Sequence, residues 1–438
     1  MVVAGARVVE GSLRGRCLQA GDERAFARPL AVAEARADAL AQLPLRMRRL
    51  SERWAPVLAL LVGGLSAALG RDAVDVALVV VAVYAAFGNV AVGTLVGLAV
   101  ARGTRLAMRR GILYASAALW DRCARVTGAI FCARGTLLRG EPDLVEVEVI
   151  AQRRGDATRA DDVLALAAGL LSGDRTPVAL AVRRAAAERN LRPMAVRDLR
   201  PLSSRGVTAI ASSGETVCVG NRALLIERHV SVAVAEERIV ELEAAGRSVL
   251  LVARGGRLLG VLALQDGLRS GARAAVQHVL DARIEPILMS ADTRETCAAL
   301  GRALDIDHLR PEVMDDERRA AVDRIRETGA LVAVMGHSPF DDPALEAADA
   351  AVVLNAAGRD RGDHAVLLAS DDPRAAALSL ALAQRTRTSA SAIALLLLVP
   401  AAFGALVVAT GMLPPEYAPL AQLVGSFVAL GQLRGLDK

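Results

Sequence analysis

Residues 131–142, FCARGTLLRGEP, have the outline of a loop that accepts a phosphoryl group. An apolar strand runs into a Gly-Thr turn at Gly135 and Thr136, and a Gly-x-Pro sequence leads out of the loop. In a loop of this kind a carboxylate at the end of the strand attacks the phosphorus atom and forms a covalent intermediate. Cys132 stands at that position here, so the loop carries a new nucleophile, has lost its chemistry, or resembles such a loop by chance.

A cysteine nucleophile requires a lowered thiol pKa, which phosphate-binding loops provide with a closing arginine. The Cys-x-x-x-x-x-Arg spacing is absent, because Leu138 occupies the sixth position after Cys132 and Arg139 follows one residue too late. Arg134 is close in sequence but lacks that spacing. We therefore interpret Cys132 as a small apolar residue that fills the place of a former carboxylate.

Other polar residues follow later apolar runs, at the points where strands would end. Asp266 follows one run, Ser290 and Asp292 follow the next, and His337 and Asp341 follow a third. Ligands of parallel α/β sheets bind at the carboxyl ends of the strands. One such residue is usually a helix cap, but four strand ends of one sheet predict a shared site.

The elements that would position these residues alternate between strands and helices, which is typical of a parallel α/β sheet. We predict a first strand at GAIF (128–131), then strands at 258–264, 285–290, 329–336 and 350–355, with helices at 270–282, 293–303, 315–328 and 342–348. Residues 146–257 interrupt this pattern with helices at 161–171 and 176–190 and several short strands. We interpret them as an inserted α+β domain, either a cap or a nucleotide-binding domain.

Composition favours a membrane protein with a large polar part. The 438 residues suffice for two or three domains, and they are 53% hydrophobic and 23% charged. The net charge of +5 comes mostly from arginine, without the basic-aromatic pattern of a nucleic-acid surface. None of the five cysteines forms a CxxC pair, which predicts reduced thiols in a cytoplasmic setting. The N-terminal residues lack the apolar segment of a signal peptide.

Four apolar runs predict two membrane hairpins, at 54–101 and 389–433, since a spanning helix needs about 20 apolar residues. The runs are 54–70, 74–100, 389–410 and 418–433; the first and last are short enough to be buried core helices instead. Arginines precede and follow the first hairpin and precede the second. By the positive-inside rule, both termini and the large middle region are expected in the cytoplasm of a multi-pass plasma-membrane protein.

The order of these motifs resembles the P-type cation-transporting ATPases, and most closely their heavy-metal branch. The family's loop Asp-Lys-Thr-Gly-Thr-Leu-Thr aligns with residues 132–138, and its Asp-x-x-Arg motif aligns with Asp266 and Arg269. Its Thr-Gly-Asp-Asn motif aligns with residues 290–293, and its Pro-x-x-Lys motif aligns with residues 315–318. Its Gly-Asp-Gly-x-Asn-Asp-x-Pro-Ala-Leu motif aligns with residues 336–345. Each motif is weak by itself, but together and in this order they are specific.

The resemblance implies a haloacid-dehalogenase-like phosphorylation domain at 126–145 and 258–385, a nucleotide-binding-like insert at 146–257, and transmembrane α-helices. Residues 1–48 resemble the tail of the actuator domain, whose Thr-Gly-Glu we expect to precede the first residue. The branch's Cys-Pro-Cys ion motif falls on Gly88, Asn89 and Val90, which supply no soft metal ligands. Asn89 would then form a helix–helix hydrogen bond or, less simply, a functional intramembrane site.

The departures from the family affect its chemistry directly. Cys132 replaces the phosphorylated Asp, His337 replaces a Mg²⁺ carboxylate, Phe340 replaces an Asn, and Arg318 replaces a Lys that neutralises charge. Mg²⁺ is a hard cation that requires oxygen ligands. Asp292 and Asp341 survive, but none of the family-equivalent positions is expected to be catalytically competent; these positions are Cys132, Arg134, Thr136, Asp266, Asp292, Arg318, His337 and Asp341.

The nucleotide positions are also altered. The branch's His-Pro falls on Thr176 and Pro177, and its paired-glycine loop falls on residues 204–207, where only Gly206 remains. Gly220 and Asn221 are retained. We therefore expect weak binding of ATP and Mg²⁺ at most, with no confirmed cofactor.

Three functions remain open on these residues. The first is a catalytically silent P-type ATPase homologue, either a regulator or partner of another P-type ATPase chain or a remnant. The second is a working cation-transporting subunit whose missing half comes from another chain. The third is a membrane-tethered haloacid-dehalogenase-like phosphatase, which needs the same Asp that Cys132 replaces. The expected partners are the lipid bilayer and such a second chain or upstream half.

Overall fold

The computed structural model describes residues 42–87, 91–150, 158–202, 205–337, 341–355 and 365–433. Two compact units emerge, one formed by residues 1–126, 355–370 and 378–438 and the other by residues 127–354 and 371–377. The second unit carries both sheet-forming regions predicted from the sequence.

A parallel α/β sheet forms the centre of the second unit, as predicted. Its strands are β2 (Gly128–Cys132), β9 (Glu285–Met289), β10 (His308–Arg310), β11 (Val332–Gly336) and β12 (Ala350–Val353), in the spatial order β12-β11-β2-β9-β10. The helices between them are α9 (Ala272–Asp281), α10 (Arg294–Leu304), α11 (Arg318–Arg326) and α12 (Asp342–Ala347). On α10, Cys297, Gly301 and Leu304 recur at helical spacing and are buried, which gives it one apolar face.

A second sheet of six antiparallel strands forms the insert. Its strands are β3 (Asp143–Val149), β4 (Val196–Leu202), β5 (Gly206–Ala211), β6 (Thr216–Gly220), β7 (Ser248–Arg254) and β8 (Arg257–Gln265), in the order β3-β8-β7-β6-β5-β4. Its helices are α5 (Ala160–Leu170), α6 (Pro177–Glu188), α7 (Arg222–Glu227) and α8 (Glu236–Ala244). The fold agrees with the predicted class: a parallel α/β domain with an inserted α+β domain.

One predicted strand of the parallel sheet belongs instead to the antiparallel sheet. The run at 258–264 was expected in the parallel sheet, but β8 pairs antiparallel with β3 and β7. Leu262 and Leu264 of β8 face one apolar core, whereas Leu258 and Val261 face another. Because helices cover both faces, β8 has the continuous apolar sequence that is typical of parallel strands. The six-stranded sheet thus runs from Asp143 to Gln265, beyond the predicted insert at 146–257.

The first unit consists mainly of long helices. They are α1 (Gln42–Ala68), α2 (Ala73–Phe87), α3 (Ala91–Arg109), the short α4 (Ala117–Cys123), α13 (Pro373–Ala409), whose first turn belongs to the second unit, and α14 (Tyr417–Leu433). A short antiparallel pair, β1 (Ile112–Tyr114) and β13 (Ala365–Leu368), accompanies them. Small residues permit close packing: a Cβ atom added to Gly425 would lie 2.3 Å from the carbonyl oxygen of Leu396. Such packing is typical of membrane helices.

Two stretches are long and apolar enough to cross a membrane: Pro373–Ala409, and Ala73–Arg109, which consists of α2, α3 and residues 88–90 outside the described ranges. They include the predicted run 74–100 and all but the last residue of the run 389–410. Apolar side chains stand exposed on α1, α2, α13 and α14, among them Leu60, Leu61, Val81, Phe403 and Phe427. A water-soluble surface seldom exposes such a large apolar area. The spans predicted at 54–70 and 418–433 form helices, and their membrane crossing stays a prediction.

Candidate functional site

The carboxyl ends of β2, β9 and β11 are neighbours in the parallel sheet. Cys132 lies opposite Met289, and Phe131 lies opposite both Leu288 and Met335. The residues that follow these strands therefore emerge at one edge. This brings together Cys132, the Ser290–Asp292 segment and His337, as the strand-end pattern predicted. Asp266, predicted at a fourth strand end of the same sheet, instead follows β8 of the antiparallel sheet.

The loop after β2 turns sharply at a glycine. Residues Ala133–Leu137 form one wide helical turn, broken at Gly135, whose φ is +84°. The positive φ of Gly135 favours glycine, and a Cβ atom there would lie 3.3 Å from Cβ of His337, which leaves little room for a side chain. The Arg139 N–H donates to the Gly267 carbonyl over 2.9 Å, and the Arg269 N–H donates to the Leu137 carbonyl over 2.8 Å. The segment after β8 thus holds the loop in place.

An ion pair occupies the place next to the strand-end thiol. The Arg318 guanidinium contacts the Asp341 carboxylate through Nη1 and Oδ1, and the exposed fractions of Arg318, Asp341 and Cys132 are only 8%, 2% and 1%. Asp341 also accepts a 2.7 Å hydrogen bond from the His337 backbone N–H. The two charges at this point of the site therefore neutralise each other.

The Cys132 thiol is unsuited to nucleophilic attack. Burial, and next the Asp341 carboxylate, raise the pKa of this thiol well above its usual value, and Arg318 offsets this only in part. The thiolate is the nucleophilic form of cysteine, so a raised pKa removes it at neutral pH. The geometry agrees with the interpretation of Cys132 as a small buried side chain.

A second network surrounds Asp292. Its Oδ1 accepts a 2.7 Å hydrogen bond from the Ser248 hydroxyl and lies 3.3 Å from Nη2 of Arg134. Its Oδ2 accepts a 2.8 Å hydrogen bond from the Ser290 hydroxyl. Burial alone would raise the pKa of Asp292, but Arg134 and the two hydroxyls outweigh it and hold this pKa below its usual value. Asp292 is therefore a fully engaged carboxylate.

Sequence reasoning missed Ser248. This residue begins β7 of the insert, 44 positions before Asp292, and no local motif marks it as a partner. Its hydroxyl also lies 3.4 Å from Nη2 of Arg134. Ser248 therefore links the insert directly to the strand-end residues of the parallel sheet.

Asp266 holds the exit of the loop. Its two carboxylate oxygens accept from the Gly140 N–H over 3.1 and 3.2 Å. Burial raises the pKa of Asp266, and Arg134 and the Gly140 N–H offset this in part. Arg269, three residues later, donates to the Arg139 carbonyl over 3.2 Å. Both residues of the Asp-x-x-Arg motif thus brace the loop.

Some buried donors of the loop remain without a partner among the described residues. The Thr136 hydroxyl is fully buried, and it and Nε of Arg134 make no hydrogen bond. A buried polar group without a partner costs about 1–3 kcal/mol. Both atoms belong to the loop that follows β2, so this loop retains two unsatisfied buried polar groups.

The residues do not fit the Mg²⁺ ion that the family resemblance implies. Mg²⁺ takes oxygen ligands in octahedral geometry. Cys132 and His337 offer sulfur and nitrogen, and the Asp341 carboxylate is already paired with Arg318. Within the described ranges, no group of three or more His, Cys, Asp or Glu side chains could hold a metal ion.

The predicted nucleotide positions have structural roles in the insert. The Thr176 hydroxyl caps α6 by accepting from the Ala179 N–H over 3.3 Å, and the Asn221 side chain caps α7 by accepting from the Leu224 N–H over 3.0 Å. A Cβ atom at Gly206 would lie 2.1 Å from the Val219 carbonyl oxygen, and one at Gly220 would lie 2.2 Å from the Arg205 carbonyl oxygen. These glycines allow two strands to approach closely.

Several predicted positions cannot be compared with the structure. Gly88, Asn89 and Val90, at the place of the ion motif, lie outside the described residues, as does Phe340. Residues 1–41, which include most of the segment resembling the actuator domain, also lie outside them.

Comparison with known families assigns this architecture. The haloacid dehalogenase-like hydrolase family matches residues 128–349, just over half of the chain. The chain belongs to this family. The match includes the parallel sheet with its strand-end residues and the inserted antiparallel sheet, as the sequence resemblance implied.

Curated relatives of this haloacid-dehalogenase-like chain are P-type ATPases. A copper-transporting P-type ATPase of Rhizobium leguminosarum bv. viciae is 29% identical over 244 residues, covering 56% of this chain and 28% of the relative. A probable copper-exporting P-type ATPase V of Mycobacterium tuberculosis is 28% identical over 305 residues, covering 69% of this chain and 37% of the relative. The chain thus spans about a third of the length of the curated relatives it matches.

A solved structure agrees at the level of the fold. A zinc-transporting PIB-type ATPase in the E2·Pi state has a TM-score of 0.58 at 21% identity, covering 95% of this chain and 68% of the other. The predicted resemblance to the heavy-metal branch of the P-type ATPases is therefore confirmed. The replaced motif residues, above all Cys132 and His337, distinguish this sequence from the family pattern on which that resemblance was recognised.

Proposed function

We propose that this chain is a multi-pass membrane homologue of the heavy-metal P-type ATPases that forms no phosphoenzyme and acts as a regulator or partner of another P-type ATPase chain. The observation that carries the proposal is the arrangement at the end of β2. There a buried, neutral Cys132 thiol lies beside the Arg318–Asp341 ion pair.

The covalent step of the family lacks its essential groups in this chain. A phosphoenzyme needs a nucleophile that is ionised at neutral pH and a positive charge that faces the transferring phosphoryl group. The Cys132 thiol is protonated, and the charge of Arg318 is directed to Asp341. The alternative of a membrane-tethered phosphatase requires the same carboxylate and meets the same obstacle.

Binding without transfer is the chemistry that these residues support. The unpaired Thr136 hydroxyl and Arg134 Nε are donors suited to a phosphate group. The Thr176 and Asn221 side chains are engaged as helix caps, which leaves them poorly suited to hold adenine. ATP would therefore bind weakly, and without Mg²⁺ at the Cys132 end of the site.

The pairing of the charged residues at the altered site favours a regulatory role over a decaying remnant. Arg318 pairs with Asp341, Arg134 pairs with Asp292, and Asp266 holds the loop exit. An uncompensated buried charge is strongly destabilising, so each pairing preserves the fold after the loss of catalysis. In this account the bilayer holds the long helices, and the sheets and both termini lie on the cytoplasmic side.

Metal-stimulated ATP hydrolysis by the purified full chain tests the proposal. Phosphate release is measured with Cu⁺ and with Zn²⁺, beside a copper-exporting P-type ATPase as the active reference. We expect no release above the metal-free rate. Metal-stimulated release that is lost in Asp292→Asn would instead support the alternative of a functional cation-transporting subunit.

A further inference from the structure

Three arginines form one face at the C-terminal end of α3. Arg102, Arg105 and Arg109 follow one another at helical spacings of three and four, which places them on the same side of the helix. Together with Leu98, Ala101 and Leu106 they line an open groove of about 400 Å³. We call these six residues the arginine groove.

The charge of the arginine groove is not balanced by its own helix. The sequence of α3, AVGTLVGLAVARGTRLAMR, contains no acidic residue. Arg105 and Arg109 are exposed, and neither forms a hydrogen bond or ion pair with any residue that the structure describes. Their guanidinium groups present planar sets of donors that match the oxygens of a phosphate group.

The position of the groove along the chain identifies its partner. No charged residue occurs between Asp75 and Arg102, and that interval exceeds the roughly 20 residues that cross a hydrocarbon core. Arg102 is thus the first charge after an apolar run that is long enough to span a bilayer. Side chains just beyond such a run lie at the depth of the lipid headgroups.

The groove also combines charge with apolar surface. Leu98, which is 46% exposed, lies on the membrane side of the arginines, and Leu106 lies among them. A helix surface that is both basic and apolar matches the boundary between headgroups and acyl chains. A soluble anion would use the arginines alone, whereas a phospholipid would use both kinds of surface.

We propose that the arginine groove binds the headgroup phosphate of an anionic phospholipid, with Leu98 against the first part of its acyl chains. This inference rests on the membrane placement given under the proposed function. Binding of this kind anchors the end of α3 at the cytoplasmic leaflet, where anionic lipids attract clustered basic residues.

Native mass spectrometry of the detergent-purified full chain tests the site. The chain is titrated with equal amounts of phosphatidylglycerol and phosphatidylcholine, and the bound lipids are counted. We expect preferential binding of phosphatidylglycerol. The double variant Arg105→Gln with Arg109→Gln should bind phosphatidylglycerol about 25-fold more weakly. Each basic side chain at an anionic surface contributes a factor of about five in affinity.

The matched control is Arg192→Gln with Arg257→Gln, which removes two exposed positive charges from the insert. It should leave the lipid preference unchanged. Equal binding of the two lipids, or wild-type phosphatidylglycerol affinity in the groove variant, would overturn the site. Displacement of the lipid by millimolar inorganic phosphate would overturn it in favour of a free-anion site.

Alkaline carbonate extraction separates this inference from the proposed function. A chain that is released from membranes by carbonate contradicts the membrane placement itself, and with it both proposals. A chain that resists extraction but shows no lipid preference contradicts the arginine groove alone, and the proposed function stands.

Discussion

Arg318 and Asp341 form a buried ion pair beside the Cys132 thiol, at the sheet edge where the strand-end residues of this fold meet. Each residue stands at a family motif position, and the charge of each is neutralised by the other. The His337 N–H adds a 2.7 Å hydrogen bond to Asp341. In the family pattern this site serves phosphoryl transfer. Here the charges of Arg318 and Asp341 are paired with each other instead.

Removing one partner of this pair should destabilise the fold strongly. Arg318→Met leaves the Asp341 carboxylate buried and unpaired, and we expect a loss of about 3–5 kcal/mol in the free energy of unfolding. The measurement is the apparent unfolding midpoint of the detergent-purified chain. Arg319→Met is the control, because the neighbouring Arg319 pairs with Glu346 at the exposed surface and such pairs contribute about 0–1 kcal/mol. Equal losses in both variants would refute the energetic role of the buried pair.

The Cys132 thiol should resist alkylation. Its pKa is raised by burial, and alkylating reagents attack the thiolate. Iodoacetamide at pH 7.5 should leave the Cys132 peptide unmodified in the native chain and modify it after denaturation, as read by mass spectrometry. Ser231→Cys provides an exposed reference thiol in the same chain. Alkylation of Cys132 at the rate of that reference would show an accessible thiolate and reopen the possibility of a cysteine nucleophile.

Gly206 should matter for the stability of the insert regardless of nucleotide. Gly206→Ala places a Cβ atom 2.1 Å from the Val219 carbonyl oxygen at a φ of +142°, and strain of this kind costs about 1–3 kcal/mol. We expect faster proteolysis of the insert, with or without ATP. Gly173→Ala is the control, since no atom lies within 4 Å of the added carbon. Wild-type protease resistance in Gly206→Ala would contradict the steric role.

Glu243 should make stability depend on pH. Burial raises the pKa of Glu243 to about 6, although Arg222 at 3.4 Å lowers it in part. A raised carboxyl pKa contributes stability below its unfolded value of about 4.3, and this contribution is lost as the pH rises through about 6. Glu243→Gln should therefore stabilise the chain by about 2 kcal/mol at pH 7.5. It should also remove that part of the pH dependence between pH 4.5 and 6. A Gln variant that is less stable at pH 7.5 would show that the Arg222 pair dominates.

The sequence predicted the strand-end residues well because their position follows from local pattern. An apolar run followed by a polar residue marks a strand end wherever the sheet is parallel, and Cys132, Asp292 and Asp341 were found in this way. The predicted helices and strands of 270–355 also agree with the structure within a few residues. Periodicity and length are local properties of the chain, so one sequence suffices to read them.

Partner choice could not be read in the same manner. The apolar run of β8 indicated a buried strand, but an apolar run does not specify which neighbours it pairs with. The contact of Ser248 with Asp292 depends on how the start of β7 approaches the parallel sheet. The spacing of residues in the sequence does not predict this approach. The predicted nucleotide residues Thr176 and Asn221 show the converse, because helix caps and ligand-binding positions use the same polar side chains.

Phosphoenzyme formation from radiolabelled ATP tests the central claim most directly. The full chain and an active copper-exporting P-type ATPase are incubated with γ-labelled ATP, quenched in acid and treated with or without hydroxylamine, which cleaves acyl phosphates. The account predicts label on the active reference and none on this chain, because Cys132 replaces the attacking carboxylate. An acid-stable, hydroxylamine-sensitive label on this chain would contradict it.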